Sequence, residues 1–128
     1  MNAFKSIKTA VLVVALATSG SVFAAEIGSM KIRSKIVEGV ADVKVLIDHP
    51  METGQRKDAS GQTVMPHFIQ TITIAVNGKP VASIESGQAM SRNPVIGFKL
   101  PGVKTGDRLT VEWSDNRGMT KSETSVAQ

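Results

Sequence analysis

Apolar and polar residues alternate along most of the chain from residue 30 onward, a period that is typical of β-strands with one buried face. Turns rich in glycine, proline, asparagine and serine separate the alternating segments, and no segment has the apolar spacing of a helix. The pattern predicts strands over residues 30–36, 40–47, 68–76, 81–85, 94–100, 108–113 and 119–126.

Local signals place some of these strands within a sheet. Asn77-Gly78 directly follows the segment 68–76 and predicts a type I′ hairpin, because both central residues of that turn need a positive φ. Pro80 lacks the N–H of a ladder hydrogen bond and is expected at the start of the return strand. The segment 119–126 is mostly polar and is therefore predicted to be an edge strand.

These strands predict an all-β fold, an immunoglobulin-like β-sandwich of about seven strands. A small barrel is the alternative, because strand number and spacing are similar in the two architectures. The chain contains no cysteine, so the disulfide of antibody domains is absent and stability must come from packing.

The N-terminal segment has the order of a secretory signal. Lys5 and Lys8 precede a continuous apolar run, and Val22-Phe23-Ala24 supplies small residues for signal peptidase. The run is shorter than the roughly 20 residues that a membrane-spanning helix needs. We predict a Sec-type signal peptide over 1–24, an exported domain over 25–128, and no membrane association after cleavage.

Composition narrows the possible chemistry. Cleavage would leave 13 basic and 11 acidic residues, a balance that does not favour a nucleic-acid partner. The absence of cysteine excludes a zinc–thiolate site and a cysteine nucleophile. No serine lies in a nucleophile elbow, and a Glu52–Asp58 carboxylate pair is more typical of a solvated loop. We predict no catalytic residue, no enzymatic activity and no cofactor.

A polar loop that begins at Asp48, directly after the predicted strand 40–47, is the most distinctive part of the sequence. Pro50 fixes its own φ and Gly54 permits a sharp reversal. Composition alone favours an ordinary solvated loop. The alternative is a shaped docking surface in which Arg56 donates a forked pair of hydrogen bonds to a carboxylate or an anion.

The two ends of this loop mirror each other, as His49-Pro50-Met51 and Met65-Pro66-His67. If the loop folds back, two imidazoles and two thioethers converge, a set that suits copper. Otherwise the methionines pack on the sandwich and the histidines bond to the backbone. A periplasmic copper-binding protein is therefore the alternative function, with His49, Met51, Met65 and His67 as ligands.

The loop sequence DHPMETGQRKD, at residues 48–58, also resembles the signature of the SoxZ family of bacterial sulfur-oxidation proteins. The resemblance spans roughly residues 30–125 and includes Pro66-His67-Phe68-Ile69, Asn77-Gly78, Ser91-Arg92-Asn93-Pro94 and Trp113-Ser114-Asp115-Asn116 with Gly118. SoxZ is an immunoglobulin-like, non-catalytic subunit that forms a heterodimer with SoxY. SoxY holds sulfur intermediates of thiosulfate oxidation on a cysteine and presents them to other periplasmic enzymes.

The resemblance implies a SoxY-type partner for this chain, transient contacts with other Sox enzymes, and a periplasmic location. It favours the docking interpretation of the loop, together with an apolar sandwich face around the segment 68–76. Subunits of this type commonly lack a signal of their own, so the predicted signal peptide leaves room for a paralogue with another partner. The candidate partner-binding residues are His49, Pro50, Met51, Glu52, Thr53, Gly54, Arg56, Lys57 and Asp58.

Overall fold

The computed structural model describes residues 28–128, which form two antiparallel β-sheets packed against each other. One sheet has the strand order β1-β2-β5 and the other β4-β3-β6-β7, which confirms the predicted immunoglobulin-like sandwich. None of the described elements is a helix long and apolar enough to cross a membrane. The predicted signal peptide, 1–24, lies outside the described residues. The strands are β1 (Met30–Val37), β2 (Val40–Ile47), β3 (Ile69–Val76), β4 (Lys79–Glu85), β5 (Val95–Pro101), β6 (Arg108–Asp115) and β7 (Thr120–Val126).

The core lies between the sheets and follows from the alternation in the sequence. Every second side chain of the central strands points inward, and each such aliphatic side chain contributes about 1.5–3 kcal/mol through burial. Deeply buried positions include Val43, Val45 and Ile47 of β2, Ile72 and Ile74 of β3, and Leu109, Val111 and Trp113 of β6.

The start of β3 departs from strict alternation. Ile69 pairs with Asp115 and Thr71 with Ser114, so β3 carries one extra residue there. Such a bulge changes which face the following side chains occupy, and both Ile69 and Ile72 are fully buried. The isoleucines of β3 are used in the core, and contact between the outer face of this strand and a partner subunit stays a prediction. Its outward positions are Thr71, Thr73 and Ala75.

Both local turn predictions are confirmed. Asn77 and Gly78 have φ values of 50° and 83°, and Pro80 is the second residue of β4, an edge strand. β7 is an edge strand as predicted. It lies next to β1, where Ile36 N donates a hydrogen bond of 3.0 Å to the Gln128 carbonyl.

The Asn77-Gly78 hairpin gives a direct test of backbone strain. A Cβ at Gly78 would meet nothing within 4 Å, so Gly78→Ala should lower the free energy of unfolding by about 1–2 kcal/mol through its positive φ alone. Gly97 also has open space around it but lies outside the left-handed region, so Gly97→Ala is the matched control. Urea denaturation measures both variants, and equal losses would contradict this explanation.

Candidate functional site: a buried histidine–aspartate–histidine cluster beneath a loop

Three polar side chains that are distant in the sequence meet at one end of the sandwich. His49 follows β2, His67 precedes β3, and Asp115 is the last residue of β6. Because β3 pairs with β6, the chain enters β3 beside Asp115. The exposed fractions are 1% for His49 and 4% for both His67 and Asp115. The fold therefore places a polar cluster where little water reaches it.

The loop between the two histidines folds back on itself. Glu52 N donates to the His67 carbonyl over 2.6 Å, and His67 N donates to the Glu52 carbonyl over 2.9 Å. Lys57 and Thr63 form a second bridge further out. The condition stated for convergence of the histidines is thus met, and their ring centroids lie 4.5 Å apart.

Asp115 joins the two histidines through one oxygen. Its Oδ2 lies 3.1 Å from His49 Nε2 and 2.6 Å from His67 Nε2. Its Oδ1 accepts the backbone N–H groups of Arg117 and Met119, each over 2.9 Å, and so fixes the turn between β6 and β7. Burial alone would raise the pKa of Asp115, but these hydrogen bonds outweigh it and hold the pKa below the ordinary 3.8. The carboxylate is therefore ionised.

The protonation of His49 follows from its neighbours. Met51 N donates to His49 Nδ1 over 3.2 Å, so the neutral ring carries its proton on Nε2 and donates it to Asp115. Burial lowers the pKa of His49 below 6.5, and the nearby charges of His67 and Arg117 act in the same direction. The hydrogen bond to Asp115 opposes this shift without cancelling it. His49 is therefore neutral at physiological pH.

The backbone around His49 is tightly held. Met51 is buried with a φ of 50°, a left-handed conformation that costs a non-glycine residue about 1–3 kcal/mol. Its sulfur accepts the Ile69 N–H over 3.5 Å, in addition to the bond from its own N–H to His49. Asn93 Oδ1 accepts the His49 N–H, and Asn93 N donates to the His49 carbonyl, both over 3.0 Å. These bonds offset the strain and fix the base of the loop.

The structure divides the candidate partner-binding residues into two groups. His49 and Met51 are buried, Pro50 and Glu52 are partly buried, and all four belong to the base of the loop. The other candidates lie in the loop tip, which we define as residues 53–58. Of these candidates, Thr53 and Gly54 are half-buried, and Arg56, Lys57 and Asp58 are exposed.

Two contacts shape the loop tip. Gly54 has a φ of 87°, and a Cβ at this position would lie 2.7 Å from Pro66 Cγ, so only glycine fits. Arg56 donates its Nε–H to both oxygens of Glu52, at 2.9 and 3.1 Å, and its Nη2–H to Oε1 at 2.7 Å. The predicted fork of Arg56 is thus directed at a carboxylate within its own loop.

The candidate copper ligands are arranged unevenly. His49 and His67 lie together, but the Met51 sulfur accepts a backbone N–H and Met65 is 69% exposed. His49, His67 and Asp115 do place three donor atoms within 4.8 Å of one another. A cation on His49 Nε2, however, would displace the proton given to Asp115 and put an Nδ1–H against the Met51 N–H. The copper hypothesis stays a prediction that needs Met65 to turn inward.

Asp115 is the member of the cluster that sequence reasoning did not assign. It lies 48 residues after His67 and 66 after His49, so no local spacing connects them. The available signal was an acidic residue placed two positions after Trp113 on an alternating strand. That parity puts Asp115 on the buried face, where a carboxylate needs hydrogen-bonding partners.

Known proteins are similar to this chain at the level of a family model and at the level of the fold. The family model described as "Sulphur oxidation protein SoxZ" matches residues 30–126, most of the chain. A solved structure of a superoxide reductase (neelaredoxin) mutant from Archaeoglobus fulgidus, in the reduced form, is similar with a TM-score of 0.54. That alignment has 20% sequence identity and covers 77% of this chain and 88% of the other, so it shows the fold alone. A search of curated proteins finds no match.

Removal of the bridging carboxylate should strongly destabilise the domain. Asp115→Ala leaves two imidazole and two backbone donors without their acceptor, and each buried unpaired group costs about 1–3 kcal/mol. Urea denaturation should therefore show a loss of several kcal/mol. The control is Asp42→Asn, which removes an exposed carboxylate paired with Lys99 and should change stability little. Comparable losses of unfolding free energy in the two variants would show that the cluster does not stabilise the fold.

The same cluster predicts acid sensitivity. The pKa of His49 is lower in the folded state than its ordinary value of 6.5, so near and below pH 6.5 this histidine binds a proton more readily in the unfolded chain. The free energy of unfolding therefore falls as the pH drops through 6.5. The lowered pKa of Asp115 adds a further loss below 3.8. Urea midpoints measured from pH 7.5 to 3.5 should show the first decline in the parent and not in His49→Gln. An unchanged first decline in His49→Gln would contradict the assignment.

Proposed function

This chain belongs to the SoxZ family of sulfur-oxidation proteins, and from that membership we propose that it is the non-catalytic subunit of a periplasmic sulfur carrier. It pairs with a SoxY-type subunit that holds sulfur intermediates on a cysteine, and the heterodimer visits other periplasmic Sox enzymes. The observation that carries this proposal is the family match over residues 30–126.

The chemistry of the chain agrees with a supporting role. A covalent sulfur adduct of this kind needs a thiolate, and the sequence contains no cysteine. The cargo must therefore be held by another polypeptide, and the contribution of this chain is to bind and orient that polypeptide.

We assign the contact with the SoxY-type subunit to the loop tip. The buried cluster and the strained Met51 hold the base of the loop, so the tip has its shape before a partner arrives. A preorganised loop loses less conformational entropy on binding than a flexible one, which increases affinity. The Glu52–Arg56 bonds add to this order by fixing the side chain of Arg56.

A charge-reversal experiment tests this assignment. The double variant Arg56→Glu/Lys57→Glu should weaken binding to a purified SoxY-type subunit by about tenfold or more, because it breaks the Glu52 contact and places like charges in the tip. The matched control is Lys79→Glu/Lys104→Glu, which makes the same charge change at exposed positions near the opposite end of the sandwich. Isothermal titration calorimetry gives the dissociation constants.

The outcomes separate the function from the placement of its interface. If the parent protein forms no complex with a SoxY-type subunit, the carrier-subunit function is wrong. If the complex forms and both double variants bind equally well, the function stands and the loop tip is not the contact.

A further inference from the structure

The outer face of the sheet β1-β2-β5 concentrates positive charge. We call this surface the basic face. Its charged residues are five cations and one acid, and at the end near the candidate site it also carries two apolar side chains, Leu46 and Val95. The charged members are Lys31, Arg33, Lys35, Lys44, Lys99 and Asp42.

The single acid on the basic face is already engaged. Lys99 Nζ donates to Asp42 Oδ2 over 2.9 Å, and this bond is the main cause of the lowered pKa of Asp42. None of the four other cations forms an ion pair within residues 28–128. The face therefore carries a net charge of +4, while the described chain, with 13 basic and 10 acidic residues, carries +3. The remaining described residues are thus close to neutral, with eight basic and nine acidic residues, of which Asp115 is buried.

One pairing on this face is unfavourable for stability. Arg33 of β1 stands directly opposite Lys44 of β2. Like charges at opposed positions of an antiparallel pair destabilise the sheet. Asp42 attracts Lys44 through its charge, but its hydrogen bond goes to Lys99, so the repulsion between Arg33 and Lys44 is offset only in part.

The opposite face of the sandwich has a different character. The outward positions of β3, β6 and β7 are mostly hydroxyl residues, and some bond to each other, as Thr110 and Thr124 do over 3.0 Å. Its central charged residue is Glu112, in register between Thr73 and Ser122. Positive charge is therefore concentrated on the outer face of the three-stranded sheet and not on that of the four-stranded sheet.

We propose that the basic face is a docking surface for an acidic protein surface, namely that of the enzymes that act on the carried sulfur. This inference rests on the proposed function and names the surface that makes the transient contacts. Complementary charge steers association and accelerates encounter without requiring a long-lived complex, which suits a carrier that must leave again. The partner surface carries Asp and Glu side chains opposite the cations of β1 and Lys44 of β2.

The apolar corner of the face favours a protein over a nucleic acid or a membrane. Leu46 and Val95 are neighbours in register, and Val95 is 63% exposed. A shallow cavity of about 190 Å³ beside them is lined in part by Lys31 and by Asp48, the residue that follows β2. An apolar centre with a charged rim is the usual composition of a protein interface. The face has no aromatic side chain on which a base would stack.

The experiment uses the intact heterodimer loaded with sulfur and a purified Sox enzyme that releases it. The triple variant Lys31→Glu/Arg33→Glu/Lys35→Glu should lower kcat/KM by about tenfold or more at low salt with kcat unchanged, and the difference should shrink at high salt. The matched control is Lys79→Glu/Lys104→Glu/Arg108→Glu, which makes the same charge change elsewhere and should lower kcat/KM far less.

A milder variant separates docking from folding. Lys44→Gln removes the repulsion with Arg33 together with the attraction to Asp42, so its urea midpoint should stay close to that of the parent while its kcat/KM at low salt falls. A structural role for Lys44 would instead lower the midpoint.

The failures of the two proposals are distinguishable. A heterodimer that forms normally but shows equal kcat/KM in both triple variants, or a salt-independent loss, overturns the docking surface alone. Binding of the parent to phosphatidylglycerol vesicles that the β1 triple variant abolishes, with enzyme kinetics unchanged, would assign the face to a membrane and also overturn it.

Discussion

One carboxylate links three parts of the chain that the sheets alone do not connect. Asp115 accepts hydrogen bonds from both histidines through Oδ2 and from the turn after β6 through Oδ1. A buried carboxylate without such partners would be unstable as an ion, so the cluster holds together or fails as a unit. Within the described residues every buried side-chain nitrogen or oxygen has a hydrogen-bond partner. The loop at this end of the domain depends on that complete set of bonds.

This arrangement divides one loop into a buried base, which supports the fold, and an exposed tip. The conspicuous His49-Pro50-Met51 segment faces inward and fixes the base, and the charged residues that follow face solvent. A motif that resembles a binding or metal-ligating sequence can therefore act mainly as a support. In the proposed role as a carrier subunit this is useful, because a surface that keeps its shape before binding loses less entropy on association.

The two outer faces of the sandwich add a second level of organisation. The four-stranded sheet presents hydroxyl groups. The three-stranded sheet presents the four cations of the basic face that form no ion pair within the described residues. A carrier needs a stable contact with its companion subunit and short-lived contacts with the enzymes it visits. In our two proposals, shape at the loop tip serves the first need and charge on the basic face serves the second, since charge mainly affects association rates and shape mainly affects dissociation.

The sequence by itself determined the strands, because a period of two residues and strong turn signals act locally. It predicted the strand bounds of the described domain to within a few residues, the Asn77-Gly78 hairpin and the polar edge strand β7. The number of strands also favoured a sandwich, although only the observed pairing separated it from a barrel. The family resemblance followed from ordered short motifs, for the same local reason.

Tertiary structure decided everything that depends on residues far apart in the chain. The bulge at Ile69 brings both Ile69 and Ile72 into the core, because pairing with β6 takes precedence over alternation along one strand. Burial of His49 and Met51, the role of Asp115 and the opposition of Arg33 to Lys44 arise only when separate strands come into register. Local sequence contains no distance between such residues, and the register that supplies it is set by the packing of the whole core.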